Sequence, residues 1–282
     1  MVDFFGRFVW YELITTDITA AKDFYRDVVG WSAQDASSPN LAYTFFSSGS
    51  ASVGGLMELP AEARRMGATP RWMGYVAVAS ADATADRIKR LGGAVYVPPT
   101  DSNIGRVSVV ADPQTATFGL VEGLKLSPSR AAARPGELEQ VGWHELLAAD
   151  WEKVFSFYGD TFGWRKAGAE SGPMETYQLF SAGGQMIGGM FNKRPIEPIP
   201  YWLNYFNVDD LDAAADRVKR AGGLIMEGPL EVSGGNWIAR CRDSQGAAFA
   251  IEGRRRDGAS EVSWSTEWDG FSSKGRLFKP RR

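Results

Sequence analysis

Two glutamates stand at corresponding places in two similar segments, and they are the first residues that could do chemistry. Glu12 follows Trp10 by two residues, and Glu145 follows Trp143 by the same spacing. Residues two apart on a β-strand share a face, so each carboxylate lies beside an indole. Such a carboxylate could act as an acid or base, or could hold a cationic or hydroxylated ligand. The alternative is structural: it accepts hydrogen bonds from backbone or indole N–H groups between sheets.

The chain contains one histidine, His144, and one cysteine, Cys241. Sites built from three histidines or four cysteines are therefore excluded within one chain, as is an internal disulfide. The single thiol is typical of the reducing cytoplasm, where we expect the protein to act. His144 is out of phase with Glu145, which predicts a surface or interface histidine. Cys241 is expected to be an inert strand residue.

Several aromatic residues fall on predicted strands and could line a cavity for a flat or apolar ligand. Packing in a core is the alternative, and for Trp72 and Trp202 the two interpretations are equally open. Trp31 and Trp164 are better explained by helix–sheet packing. The predicted ligand-binding residues are Trp10, Glu12, Trp72, Tyr75, Trp143, Glu145, Trp202 and Tyr205.

These residues lie in a chain that repeats itself. Asp86–Gly93 returns as Asp216–Gly223, and Asp112–Leu120 returns as Asp243–Ile251, with an offset between 130 and 133 in these and the other shared motifs. A period this long is not that of a solenoid repeat and indicates duplication of a whole domain. We predict domains at 1–123 and 138–253, a linker at 124–137 and a tail at 254–282.

Within each repeat the order of strand, helix and short strands occurs twice. The hydrophobic spacing predicts a helix that opens at Asp17 and closes before Gly30. The predicted helices are 17–29, 82–91, 150–162 and 210–221; the predicted strands lie near 8–14, 42–47, 51–57, 72–79, 94–97, 105–111, 117–122, 141–147, 176–181, 185–191, 202–208, 224–227, 236–241 and 247–252.

The bulk composition argues against nucleic acid or a membrane as a partner. A net charge of −3 over 282 residues gives no general attraction to nucleic acid. No apolar run approaches the roughly 20 residues of a membrane span, and no signal-peptide pattern opens the chain. The tail carries eight Lys or Arg against four Asp or Glu. We expect it to be a solvated end, or to pack on the body or a second subunit through its tryptophans.

The chain resembles the vicinal oxygen chelate superfamily, which contains glyoxalase I, bleomycin resistance proteins and extradiol dioxygenases. The resemblance covers roughly 7–123 and 139–253. It is carried by the segments Trp10–Leu13, Phe24–Tyr25, Gly30–Trp31, Asp82–Gly93 and Asp112–Gln114, with their second copies Trp143–Leu146, Phe157–Tyr158, Gly163–Trp164 and Asp243–Gly246. It implies an α+β fold: four βαβββ modules paired two per repeat, forming curved mixed sheets that enclose cavities.

The resemblance also marks where a metal would be held. Its first ligand position falls on Trp10 and Trp143, its second within 73–75 and 203–205, and its last on Gly119 and Ala250. None of these offers a usual donor, since an indole has no lone pair for a metal and Gly and Ala have no donor side chain. We therefore expect no cofactor and no metal ligands. A small shift in the alignment would bring Glu122 or Glu252 nearer.

Three functions remain open. The first is a metal-independent protein of the bleomycin-resistance type that binds or sequesters an aromatic or apolar small molecule. The second is a glyoxalase-like lyase or isomerase that uses a divalent metal held by Glu12 or Glu145. The third is an assembly protein that uses its tail. The duplication could replace a homodimer, so we expect either a monomer or a homodimer.

Overall fold

The computed structural model describes residues 4–37, 42–125, 140–172 and 175–255. The linker from residue 126 and the tail from residue 256 lie outside the described residues. The first repeat contains β1 (Phe8–Thr15), α1 (Ile18–Val29), β2 (Ser32–Asp35), β3 (Tyr43–Ser48), β4 (Ala51–Glu58), α2 (Ala61–Arg65), β5 (Arg71–Ala77), α3 (Ala81–Arg90), β6 (Ala94–Asp101), β7 (Arg106–Ala111) and β8 (Thr117–Glu122).

In its described residues, the second repeat follows the same plan without a counterpart of α2. It contains β9 (Val141–Ala148), α4 (Trp151–Phe162), β10 (Arg165–Gly172), β11 (Glu175–Ala182), β12 (Gln185–Asn192), β13 (Tyr201–Asp210), α5 (Leu211–Arg220), β14 (Leu224–Glu231), β15 (Trp237–Arg242) and β16 (Ala248–Arg254). In the described part of the chain, no helix is long and apolar enough to cross a membrane.

The strands form two mixed eight-stranded sheets, which confirms the predicted α+β class and its four modules. Their orders are β2-β3-β4-β1-β5-β8-β7-β6 and β10-β11-β12-β9-β13-β16-β15-β14. Each half of a sheet is one βαβββ module whose first strand runs parallel to its last. The parallel pairs are β1 with β4, β5 with β8, β9 with β12, and β13 with β16.

The helices begin and end where capping chemistry places them. The Asp17 side chain accepts from Ala20 N at the start of α1, as predicted, and Gly30 ends that helix in the left-handed region. Asp150 and Gly163 do the same for α4. Both helices thus have a side-chain acceptor for an otherwise unpaired N–H and a glycine suited to positive φ.

The described residues divide into two compact units that do not coincide with the sequence repeats. Unit 1 takes residues 4–11, 73–125, 143–172 and 175–203, and unit 2 takes 12–37, 42–72, 140–142 and 204–255. Each unit therefore combines a module of the first repeat with a module of the second. The domain boundaries drawn from the sequence remain predictions about the repeats.

In unit 2, α1 of the first repeat is joined to the β15–β16 turn of the second. The Tyr25 hydroxyl donates to Asp243 Oδ2 at 3.0 Å and accepts from Trp72 Nε1 at 2.7 Å. Gln245 Oε1 accepts from Asp17 N at 2.6 Å, while its Nε2 donates to Asp17 O at 2.8 Å. The Asp-x-Gln turn of one repeat thus fixes the entry to a helix of the other.

Unit 1 contains the same contacts with the repeats exchanged. The Tyr158 hydroxyl of α4 donates to Asp112 Oδ2 at 2.9 Å and accepts from Trp202 Nε1 at 3.1 Å. Gln114 Oε1 accepts from Asp150 N at 3.0 Å. Burial raises the pKa of Asp112 above its ordinary value, although Tyr158 donates a hydrogen bond to this carboxylate. Burial likewise raises the pKa of Asp243 in unit 2, although Tyr25 donates to it.

Candidate functional site

Glu145 ends a short chain of hydrogen bonds in unit 1. Trp143 Nε1 donates to the Tyr177 hydroxyl at 2.7 Å, and that hydroxyl donates to Glu145 Oε1 at 2.9 Å. Glu145 is only 3% exposed and Tyr177 is buried, whereas Trp143 is half-buried. The structure therefore brings together the predicted pair Trp143 and Glu145, and Trp143 is the member of the chain nearest to solvent.

A glycine lets Tyr177 reach the carboxylate. Gly189 of β12 is the direct neighbour of Glu145 of β9. A Cβ at Gly189 would lie 2.1 Å from Tyr177 Cζ, which is far inside van der Waals contact. The ring from β11 therefore crosses over the bare backbone of β12 to place its hydroxyl against β9.

Glu12 has the same surroundings in unit 2. The Tyr43 hydroxyl donates to Glu12 Oε1 at 2.6 Å, and Glu12 is 6% exposed. Gly55 of β4 pairs with Glu12, and a Cβ there would lie 1.9 Å from Tyr43 Oη. Both repeats thus carry a buried carboxylate bound by a tyrosine that crosses a glycine.

The sequence singled out the glutamates and tryptophans but missed the tyrosines that bind them. Tyr43 and Tyr177 stand at corresponding positions of the repeats. Tyr43 lies directly opposite Met57, and the pairing of Gln178 with Met190 places Tyr177 beside Phe191, at a ring-centroid distance of 5.7 Å. A signal for these tyrosines was available in the sequence, because Gly55 stands two residues before Met57 and Gly189 stands two residues before Phe191. A small residue in a strand indicates the close approach of a bulky neighbour.

Trp72 and Trp202 belong to aromatic cores between helix and sheet. The rings around Trp72 in unit 2 include Tyr25, Trp31 and Phe206, at centroid distances of 5.1, 5.7 and 5.1 Å. The rings around Trp202 in unit 1 include Phe8, Tyr158 and Trp164, at 5.2, 5.4 and 5.7 Å. Of the two interpretations left open for these tryptophans, packing describes their contacts.

Tyr75 and Tyr205 lie three positions along their strands from Trp72 and Trp202 and so face the other way. The Tyr75 ring lies over Gly119 of β8, where a Cβ would come within 2.2 Å of Tyr75 Cδ1. Tyr205 lies beside Ala250 of β16 and accepts a hydrogen bond from Arg240 Nε at 3.3 Å. Trp10, which is 2% exposed, shares the face of Glu12 on β1 by alternation.

Of the surface and interface positions predicted for His144, the surface position is wrong. The residue is 6% exposed and bonded to Tyr11 on one side and to the Ile187 carbonyl on the other. It does point away from Glu145 by alternation, but that face of β9 is covered as well. Cys241 is a buried free thiol whose pKa is raised by burial, in line with its predicted inert role.

The residues at the marked metal positions do not fit a metal site. The Trp143 Nε1–H donates to Tyr177, Gly119 lies under the Tyr75 ring, and Ala250 lies beside Tyr205. Among the described residues, no group of three or more His, Cys, Asp and Glu side chains is placed to hold a metal ion. Within this part of the chain, neither Glu12 nor Glu145 therefore has the companion donors that such a site requires.

The chain matches the sequence model of the Glyoxalase/Bleomycin resistance protein/Dioxygenase superfamily twice, over residues 7–119 and 140–251. The putative glyoxylase CFP32 of Mycobacterium tuberculosis is 31% identical over 246 residues, which cover 86% of this chain and 92% of the relative. The anthracycline biosynthesis protein DnrV of Streptomyces peucetius is 34% identical over 260 residues, which cover 87% and 92%.

Solved structures share the fold at low sequence identity. The Mn(II)-bound glyoxalase from Novosphingobium aromaticivorans superposes with a TM-score of 0.63 at 16% identity, covering 89% of this chain and 83% of that one. The 2,3-dioxygenase LapB from Pseudomonas sp. KL28 gives 0.63 at 11% identity, covering 91% and 94%. The matches to both repeats and the near full-length relatives agree: the chain belongs to the Glyoxalase/Bleomycin resistance protein/Dioxygenase superfamily.

Proposed function

We propose that this protein is a metal-independent binder of small aromatic or apolar molecules, acting in the cytoplasm. The observation that carries the proposal is the Trp143–Tyr177–Glu145 chain. Its indole is half-buried and its carboxylate is buried. A flat ligand would stack on the Trp143 ring, and a hydroxyl of the ligand would donate to Glu145 in competition with Tyr177.

The relatives support a small-molecule function. Those with near full-length coverage include proteins named putative glyoxylase and anthracycline biosynthesis protein. The tyrosine and tryptophan around each carboxylate favour a flat partner over a flexible aliphatic one. Metal independence is part of the proposal because the marked ligand positions do not fit a metal.

Binding is tested with the full chain after dialysis against a chelator. Titration with 1,8-dihydroxyanthraquinone, followed by Trp fluorescence and calorimetry, should give saturable binding. Glu145→Gln should weaken it about tenfold, since a hydrogen bond to a charged group is replaced by a neutral one. Tyr96→Phe is the control, because Tyr96 is 57% exposed and belongs to neither carboxylate site.

The same preparation distinguishes the glyoxalase-like alternative, which the name of the CFP32 relative favours. Protein dialysed against Mn, Fe, Ni and Zn in turn is assayed for retained metal and for isomerisation of the methylglyoxal–glutathione hemithioacetal. Stoichiometric metal that is lost in Glu12→Ala or Glu145→Ala, together with turnover, would replace the binding proposal with a metal-assisted lyase.

A further inference from the structure

The strand β14 lies at one edge of the second sheet. It ends the strand order of that sheet, so no strand pairs with its outer side in the part of the chain that the structure describes. Leu224 and Leu230 of β14 oppose Arg242 and Ile238 of β15, which alternate along that strand, so the two leucines share a face. Leu224 is 58% exposed and Leu230 is half-buried. An edge strand with a partly uncovered apolar face therefore borders unit 2.

The corresponding edge of the first sheet is protected by its own sequence. Its strand β6 has Pro98 and Pro99 side by side, and neither has an N–H group to pair with an added strand. β14 has one proline, Pro229, and its half around Leu224 has none. An exposed apolar edge is a place where another strand adds unless something covers it. The second sheet is therefore the one that gains from a cover.

The C-terminal tail contains a segment with the sequence pattern of a strand. In residues 261–268, Val262, Trp264, Thr266 and Trp268 alternate with serine and glutamate. This spacing is typical of a strand with one apolar face. The segment has eight residues, as β14 does. The linker at 124–137, which follows the first repeat, has two prolines and no alternating run of this length.

The described chain ends close to β14. Arg255 lies over the Trp237 ring at 5.0 Å and donates to Asp212 Oδ2 at 2.9 Å. Trp237 of β15 opposes Glu231 at the end of β14. The five residues 256–260 can span about 17 Å, whereas three strand spacings, from β16 to a strand outside β14, amount to about 14 Å. Because β14 and β16 both run antiparallel to β15, a segment that turns back here runs antiparallel to β14.

We infer that residues 261–268 add to β14 of the same chain as an antiparallel strand, with the two tryptophans against Leu224 and Leu230. The short tether favours this occupant over a second copy, because it holds the segment near the edge at a high effective concentration. Two β14 strands paired antiparallel in full overlap would also bring their Glu227 side chains together, which is unfavourable. The inference goes beyond the proposed function and does not depend on it.

Hydrogen exchange of the full chain, read by mass spectrometry, tests the added strand. Ser265→Pro removes an N–H group from the middle of the segment and should break its pairing. Amides of β14 and of residues 261–268 should then exchange at least about tenfold faster than in the wild type. Ser273→Pro is the matched control, since it lies outside the segment and should leave these rates unchanged. Light scattering of the wild type should show a monomer.

Cross-linking tests the direction of the strand. The only native cysteine, Cys241, is buried and should not react. An antiparallel strand places the end of the segment near Leu224 and its start near Leu230. A short bismaleimide should therefore join L224C/T266C within one chain and leave L224C/V262C largely unlinked. Both introduced tail cysteines lie on the apolar face of the segment, so the two variants differ only in position along it.

Each outcome decides the inference. Amides of residues 261–268 that exchange at the rate of an unpaired chain overturn it, as does equal cross-linking of the two cysteine pairs. Protection that is lost on dilution together with a dimer assigns the edge to the tail of a second copy and overturns the same-chain strand. Should Ser265→Pro not fold, W264S/W268S removes the apolar face instead, and unchanged exchange of β14 in that variant would contradict the added strand.

Discussion

Tyr11 and His144 occupy corresponding positions of the two repeats and contact each other in unit 1. The Tyr11 hydroxyl lies 2.7 Å from His144 Nε2, and His144 Nδ1 lies 2.7 Å from the Ile187 carbonyl oxygen. A carbonyl only accepts, so Nδ1 carries the hydrogen and Nε2 accepts from Tyr11. Burial lowers the pKa of His144 to about 4, which keeps the ring neutral at physiological pH.

This tautomer predicts how stability depends on pH. Because the folded pKa lies below the ordinary value of 6.5, His144 contributes its full stability above that value and loses it as the pH falls to about 4. His144→Phe should cost about 2 kcal/mol at neutral pH, since Tyr11 and the Ile187 carbonyl lose a partner. The difference from the wild type should shrink steadily on acidification, as measured by urea unfolding across this pH range.

Tyr11→Phe is the matched control for this measurement. It removes the hydroxyl but leaves the histidine to titrate, so its difference from the wild type should change little with pH. A constant difference for His144→Phe as well would show that the histidine is not held neutral by burial.

For single residues, the sequence predicted which face of a strand a side chain points to better than it predicted what covers that face. Strand alternation placed His144 opposite Glu145 correctly, but it could not show that both faces of β9 are covered. It could also have separated Trp72 from Tyr75, since residues three apart on a strand face opposite ways. The partners of Glu12 and Glu145 come from other strands, and a single sequence does not give that register.

Among the elements, the strand pairs β1–β4 and β9–β12 position the carboxylates through their glycines. Gly55 and Gly189 each stand beside a glutamate and beneath a tyrosine ring. The long central strands were predicted because their apolar residues leave a clear pattern. The strand β2 was missed because all four of its residues are exposed and show no alternation. Edge elements of this kind are defined by pairing with β3, which is a non-local property.

Gly55 and Gly189 predict that an added methyl group would be destabilising at the two carboxylate sites. Gly55→Ala and Gly189→Ala would each drive a Cβ into a tyrosine ring, at 1.9 and 2.1 Å from the nearest atom. We expect each to lower the free energy of unfolding by about 1–3 kcal/mol, the usual cost of overpacking a filled site. Thermal and urea unfolding would measure this.

Gly168→Ala is the control for these substitutions, because no heavy atom lies within 4 Å of its added Cβ. It should change stability by less than about 0.5 kcal/mol, as surface substitutions usually do. If Gly55→Ala were equally silent, Tyr43 would not lie across β4 in solution.

At the scale of the whole molecule, the repeats exchange modules to build the compact units. The Phe-Tyr pairs of α1 and α4, and the Asp-x-Gln turns after β7 and β15, were recognised in the sequence as shared motifs. Their roles emerge only in the fold, where each motif of one repeat meets a motif of the other. Aligning the two repeats with each other matches each motif to its own copy. Such an alignment does not reveal that the motifs of one repeat contact those of the other.

Tyr25→Phe tests one such contact. It removes the donor to Asp243 and the acceptor of the Trp72 N–H, both in the interior of unit 2. The loss should be about 1–3 kcal/mol, the range expected for buried groups left without a partner. Tyr96→Phe, at an exposed site, should leave the urea midpoint unchanged. An unchanged midpoint in Tyr25→Phe would mean that the Tyr25–Asp243 bond contributes nothing to holding the modules together.

The exchange of modules makes a stronger prediction for the divided chain. If the gene is split between residues 130 and 131, each piece carries one module of each unit and lacks the module that covers its aromatic core. Burial of that core supplies most of the stability, so neither piece should fold as a monomer. Co-expressed pieces should instead purify as a one-to-one complex, while each piece alone should aggregate or pair with its own copy. Size-exclusion chromatography with light scattering distinguishes these states. A first piece that is monomeric and unfolds cooperatively would show that a sequence repeat, rather than the exchanged pair of modules, is the folding unit.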